Sequence, residues 1–182
     1  SSSPARMGDD SDDDRPLLVG STKARTDVTD ALILELSGEA ALEQVRELVL
    51  RDMGVEEMGP AMRRLVHVEV LSLSHNRLRE LSSCMSMLQL EVINVSFNRI
   101  ASLAPLAHCR RLHRLYASTN KVTSLAPLRH CNRLDTISLF RNSVPSLAEA
   151  VAVLIRLPAL RELDLGANPC ALGEPYRHEL VR

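Results

Sequence analysis

"LEVINVSFNRIASLAPLAHCRRLHRLYASTNKV", from Leu90 to Val122, states one pattern and then begins it again. An apolar residue is followed by two variable ones, then by apolar-x-apolar-x-x-Asn-x-apolar. The pattern recurs at 68–78, 90–100, 112–122, 134–144 and 160–170. Its asparagines, Asn76, Asn98, Asn120, Asn142 and Asn168, stand 22, 22, 22 and 26 residues apart. An earlier copy, "VRELVLRDMGV" at 45–55, keeps the apolar positions but has Met53 where asparagine is expected. A unit of this size cannot bury its own apolar face, so the copies must stack on one another.

The chemistry of one unit follows from its spacing. In Leu71-Ser72-Leu73 the alternation points two leucines inward and the serine outward, as in a short strand. The asparagine enters the interior at the bend, where its amide satisfies backbone groups that the turning chain leaves unpaired. Leu81, Leu103, Leu125 and Leu147, then Leu106 and Leu128, return the chain along the opposite side. The expectation is an α/β solenoid of about six coils, right-handed by the usual rule for parallel crossovers.

These motifs resemble leucine-rich repeats over about 45–182, in the short 22-residue subclass typified by a regulatory subunit of protein phosphatase 1. The resemblance implies a parallel sheet along the concave side and tight helical turns on the convex side. It also implies capped ends, as an open solenoid requires. "TDVTDALILELSG" offers cap residues Thr26, Asp27 and Thr29, apolar Val28, Leu32 and Leu36 at four-residue spacing, and a stop at Gly38. Ala31 and Leu34 broaden the apolar side, so a short amphipathic helix over 28–36 is expected. "NPCALGEPYRHELV" resembles the start of the subclass's carboxy-terminal cap, which usually continues to Leu-Pro-x-Leu. The stop at Arg182 reads as a cap cut short in a piece of a longer protein. The expected organisation is a disordered acidic tail at 1–26, a helical cap at 27–44, repeats at 45–170 and a partial cap at 171–182. Within the tail, residues 1–6 read as an expression-vector remnant ahead of Met7, and "DDSDDD" (9–14) as solvated chain.

Balanced charge, with 22 Lys+Arg against 23 Asp+Glu, exerts no sequence-wide pull toward nucleic acid or an anionic membrane. No apolar run approaches the roughly 20 residues of a membrane span. Four cysteines without short-range pairing fit a reducing, cytoplasmic compartment. His108-Cys109 and His130-Cys131 look like metal ligands, but they are 22 residues apart because the coil is. Cys109 and Cys131 then share the repeat position of Met87, and Cys84 that of Leu106 and Leu128. All three are expected in the core as small hydrophobes, with the histidines facing outward and no metal site. No phosphate loop, His-Glu-x-x-His helix or Gly-x-Ser-x-Gly elbow occurs, so no catalytic residue or cofactor is expected. The basic turn "CRRLHR" reads as a solvated back face, and nucleic acid as an unfavoured partner.

The concave surface is the candidate site. Outward positions include Val70, Ser72, Ser74 and His75; Val92, Asn94, Ser96 and Phe97; Arg114, Tyr116, Ser118 and Thr119. The later coils add Thr136, Ser138, Phe140 and Arg141, then Glu162, Asp164 and Gly166. Three of the four aromatic residues, Phe97, Tyr116 and Phe140, fall here in consecutive coils. Aromatic side chains near arginine are the usual anchors of protein interfaces. The partner-binding set is therefore Val92, Asn94, Phe97, Arg114, Tyr116, Thr119, Ser138, Phe140, Arg141 and Asp164. Arginines on one side and acids in the last coil suit a bipolar protein partner.

Finer features resemble small cilia- and flagella-associated leucine-rich-repeat proteins. They are the Cys109–Leu112 turn, the Leu115-Tyr116 strand, the longer coil with Pro145–Glu149, and the entry "VTDALILELSGEAALEQVREL". That resemblance implies a monomeric, non-catalytic adaptor in the cytoplasm, at a cilium, flagellum or basal body, with a kinase or cytoskeletal protein as partner. A second reading is an RNA-processing or phosphatase-regulatory adaptor.

Overall fold

The computed structural model describes residues 24–172. The acidic stretch at 9–14 and most of the carboxy-terminal cap sequence lie outside the described residues.

Three-residue strands form one parallel sheet in chain order: β1 Glu47–Val49, β2 Val70–Ser72, β3 Val92–Asn94, β4 Arg114–Tyr116, β5 Thr136–Ser138 and β6 Glu162–Asp164. Registration is continuous, with Leu48, Leu71, Ile93, Leu115, Ile137 and Leu163 aligned across the sheet. These central residues are buried except Leu163, which is half-buried. The chain is thus an α/β leucine-rich-repeat solenoid of six coils.

Opposite the sheet, each arm bends tightly. 3₁₀ helices occupy Ala61–Arg64, Ser82–Ser86, Ala104–His108 and Ala126–His130. In the 26-residue coil the four additional residues replace the 3₁₀ turn with an α-helix, α2, Leu147–Leu154, capped by Ser146 Oγ accepting from Glu149 N at 3.2 Å. A row of buried side chains runs along the inside of these arms: Met87, Cys109 and Cys131, all fully buried, and in the next coil Leu157 at 5% exposure.

The asparagines tie each coil to the one before. Asn120 Nδ2 donates to Val95 O at 2.9 Å in the preceding coil and to Ala117 O at 3.1 Å in its own; Oδ1 accepts Ile100 N at 2.9 Å. Asn98, Asn142 and Asn168 repeat the arrangement through Leu73 O and Leu78 N, Ala117 O and Val122 N, and Leu139 O and Val144 N. At the first coil, where Met53 replaces asparagine, Asn76 Oδ1 accepts from both Met53 N and Val55 N. The residue before each of these positions (Asp52, His75, Phe97, Thr119, Arg141 and Ala167) has φ between 53° and 58°. None is glycine, so each carries some backbone strain, offset by the hydrogen bonds of the adjacent position.

The amino-terminal helix, α1, covers Asp30–Ser37, not 28–36. Thr29 is its N-cap, with Oγ1 accepting from Leu32 N at 3.2 Å, and Gly38 closes it at φ 71°. The buried face is also different. Ile33 is fully buried, Leu32 and Leu34 are half-buried, while Ala31 and Leu36 are exposed. Val28, which precedes the cap, is buried with Ile33, and the two hold the N′ and N4 positions of a hydrophobic staple. A helix of two turns is oriented by its entry, so the four-residue spacing from Val28 did not define its inner face. Arg64 pairs with Asp30 and reaches Glu43 at 3.8 Å, tying this cap to the first convex arm.

Candidate functional site

The sheet presents four kinds of row. First strand positions hold Glu47, Val70, Val92, Arg114, Thr136 and Glu162; third positions hold Val49, Ser72, Asn94, Tyr116, Ser138 and Asp164. Beyond the strands come Ser74, Ser96, Ser118, Phe140 and Gly166, then the positive-φ residues.

The three aromatics occupy three different rows, so the structure does not assemble them into one cluster. Phe97 is 48% exposed and stacks on His75 of the preceding coil, ring centroids 4.3 Å apart and planes at 14°. Phe140 is 41% exposed and lies over Gly166 of the next coil. Tyr116 is half-buried, between Asn94 and Ser138.

Other outward positions are more covered than alternation suggests. Ser74 and Ser96 are 3% and 9% exposed. They sit where the strand bends, and Ser96 Oγ accepts from Ser118 N at 3.2 Å. Ser118 Oγ and Ser138 Oγ are 2.8 Å apart, Asn94 Oδ1 accepts from Ser96 N at 3.1 Å, and Asp164 Oδ1 accepts from Gly166 N at 2.9 Å. Asn94, Ser138 and Asp164 thus have part of their polarity committed internally. Val92 is half-buried between Val70 and Arg114, Thr119 is half-buried, and Arg141 is exposed.

What the fold does bring together is a depression of about 330 Å³ lined by Arg114, Tyr116, Asp135, Thr136, Arg161 and Glu162. Thr136 Oγ1 donates to Glu162 Oε2 at 3.4 Å. Neither Arg114 nor Arg161 has a carboxylate partner among the described residues. Asp135 Oδ1 is buried without a hydrogen-bond partner. Two acids of the same row are paired: Glu69 takes Arg46 at 3.2 Å and Glu91 takes Arg111 at 2.8 Å. For Asp135, the position equivalent to Arg111 in the following coil is Ala159. Arg161 and Asp135 were missed because they precede their strands. The row Glu69, Glu91, His113, Asp135, Arg161, titratable in every coil, was the signal that held them.

The cysteines show what the convex interior does chemically. Cys109 Sγ donates to Cys84 O at 3.5 Å, and Cys131 Sγ to Leu106 O at 3.6 Å. Burial pushes the Cys131 thiol up to about 11. Burial, reinforced by Cys131, pushes Cys109 up to about 12, and Cys84 rises further for the same reason with Cys109 as neighbour. Neutral thiols are poor metal ligands and poor nucleophiles. Among the described residues no group of three His, Cys, Asp or Glu is placed to hold a metal ion, and no helix is long and apolar enough to cross a membrane.

Comparison with known proteins agrees with the fold. Residues 66–108 match the family model of leucine-rich repeats, two copies. The chain is similar to an internalin, InlF, of Listeria monocytogenes, at 25% identity over 63% of this chain and 32% of that one, with a TM-score of 0.59. It is similar also to internalin C2 of the same bacterium, at 22% identity over 66% and 52%, with a TM-score of 0.62. A leucine-rich-repeat protein of Leptospira interrogans superposes with a TM-score of 0.67, at 20% identity over 76% and 35%. This chain therefore spans from about a third to about half of those proteins. No curated protein matches it significantly. The fold is the one these leucine-rich-repeat structures share.

Proposed function

We propose that the chain is a non-catalytic scaffold that binds a partner protein through its concave face, centred on Tyr116. Solenoids of this kind present an extended concave surface for binding. The observation that carries the reading is the depression beside Tyr116, where Arg114 and Arg161 stand without carboxylate partners next to a half-buried aromatic ring. An aromatic anchor flanked by unpaired arginines suits a protein segment that supplies an acidic side chain and apolar contact. The resemblance of the turns and caps to cilia- and flagella-associated adaptors supports a partner of kinase or cytoskeletal type in such an assembly.

Proximity labelling with the full chain, comparing wild type with Tyr116→Ala/Phe140→Ala, tests the reading. The double variant is expected to lose a defined set of ciliary or flagellar neighbours while remaining folded at the temperature of the assay, which a melting curve checks, since Phe140 also packs on Gly166. An unchanged set overturns it, as does RNA retained by the chain while Tyr116→Ala leaves every protein partner bound.

A further inference from the structure

The depression beside Tyr116 lies where the strands begin. Past their other end, where the chain turns through the asparagines, the surface has a different chemistry. Backbone bonds set its rows. Arg77 N, Arg99 N, Lys121 N and Ser143 N donate to Val55 O, Leu78 O, Ile100 O and Val122 O, so these four residues hold one position in successive coils. His75, Phe97, Thr119 and Arg141, all at positive φ, hold the position two residues earlier.

Arg77 is paired with Glu56 at 3.5 Å. Apart from it, each of the coils of β2 to β5 contributes one exposed cation to this end: Arg79, Arg99, Lys121 and Arg141. None of the four has a carboxylate partner among the described residues. The sequence gives the reason. No Asp or Glu occurs between Glu91 and Asp135, or between Asp135 and Glu149. Asp135 itself belongs to the depression, before β5. Glu80, next to Arg79, accepts from Ser82 Oγ at 3.3 Å. The series stops at both sides. In the first coil the two rows hold Asp52 and Gly54, followed by Glu56 and Glu57, and in the last they hold Ala167 and Pro169.

Phe97 lies among these cations. Its ring is 48% exposed and stacks on His75 with centroids 4.3 Å apart and planes at 14°. That separation is close to one strand spacing of about 4.8 Å, so the stacking direction runs from coil to coil. Thr119 holds the equivalent place in the coil on the other side. The ring therefore turns its rim outward. An aromatic rim carries the positive part of the ring quadrupole and suits an anion, whereas a nucleobase needs a free ring face to stack on.

We propose that this end of the sheet binds an acidic polypeptide segment, with carboxylates against Arg79, Arg99, Lys121 and Arg141 and an aliphatic side chain against the rim of Phe97. Charge complementarity carries the choice of occupant, since four unpaired cations follow one another with Glu80 as the sole carboxylate beside them. The series spans three strand spacings, about 14 Å, which roughly five residues of extended chain cover. The site stands apart from the depression, so it does not depend on the reading centred on Tyr116.

The test titrates the full, isotope-labelled chain with three probes: a peptide of glutamates flanking one leucine, the same peptide with Gln for Glu, and oligouridylate of matching charge. The acidic peptide is expected to shift the amide signals of Phe97, Arg99, Lys121 and Arg141 and to leave those of Arg114, Thr136 and Arg161 in place. Salt at about 1 M, where the screening length is about 3 Å, should remove the shifts. Arg99→Glu with Lys121→Glu should weaken binding by at least about tenfold. Arg99→Gln with Lys121→Gln should weaken it less, and both variants should keep the signal dispersion of the folded chain. The absence of shifts at low salt overturns the proposal, as do equal affinity for the Gln peptide, shifts confined to the depression, or wild-type affinity in both variants. Tighter binding of oligouridylate at the same signals overturns it in favour of nucleic acid.

Discussion

Phe140 lies across Gly166 so closely that a Cβ on the glycine would stand 3.0 Å from the ring. The last coil is thus shaped to accept an aromatic side chain from the coil before it, and part of Phe140's apolar area is spent on the solenoid itself. Gly166→Ala is expected to push the ring outward and to cost about 1 kcal/mol, the low end for overpacking because the ring can swing. Denaturant unfolding measures the cost, and the aromatic NMR signals of Phe140 report the displacement. Unchanged signals would show that Phe140 does not depend on this contact.

The asparagine ladder should be uneven. Asn120 is 9% exposed, whereas Asn98 is half-buried, although both make the same set of bonds. Asn120→Ala leaves Val95 O, Ala117 O and Ile100 N without those bonds in a dry environment, at a cost of about 3 kcal/mol. Asn98→Ala lets water reach some of the freed groups and should cost about 1–2 kcal/mol. Equal losses in urea titrations of the two variants would argue against water access as the difference.

The helix cap offers a smaller test. Thr29→Ala removes the acceptor for Leu32 N and should lower stability by about 1 kcal/mol, while Thr29→Asp should retain it. Thermal melting of the two variants distinguishes the cap bond from a packing role for the Thr29 methyl group.

The buried thiols predict alkaline sensitivity. Cys109 and Cys131 titrate at about 12 and about 11 in the fold, against 9.0 for a free thiol. A raised folded pKa means that the unfolded chain gives up the proton first. Their contribution is therefore full below pH 9 and lost as pH rises from 9 toward 11 and 12. The Cys109→Ala/Cys131→Ala variant should show a shallower fall in stability over that range than wild type, measured by urea unfolding at each pH. In the native chain at pH 8, alkylation of these thiols should be slow compared with the urea-unfolded chain.

The spacing of Asn76, Asn98, Asn120, Asn142 and Asn168 was enough to determine the repeat, the coil length and the strand register. The reason is that the same few backbone groups fall unpaired at every bend and need the same amide. It also determined that Cys84, Cys109 and Cys131 are core residues, since positions 22 residues apart share one environment. What the sequence could not determine is which exposed side chains meet. That depends on the rows between coils: Phe97 on His75, Phe140 on Gly166, and Arg161 and Asp135 joining Arg114 and Tyr116 at a single depression. The inner face of α1 was likewise decided in three dimensions, because a two-turn helix takes its orientation from its entry, where Val28 and Ile33 are buried together. Periodicity reports what each residue faces within its own coil, and only stacking decides what it touches in the next.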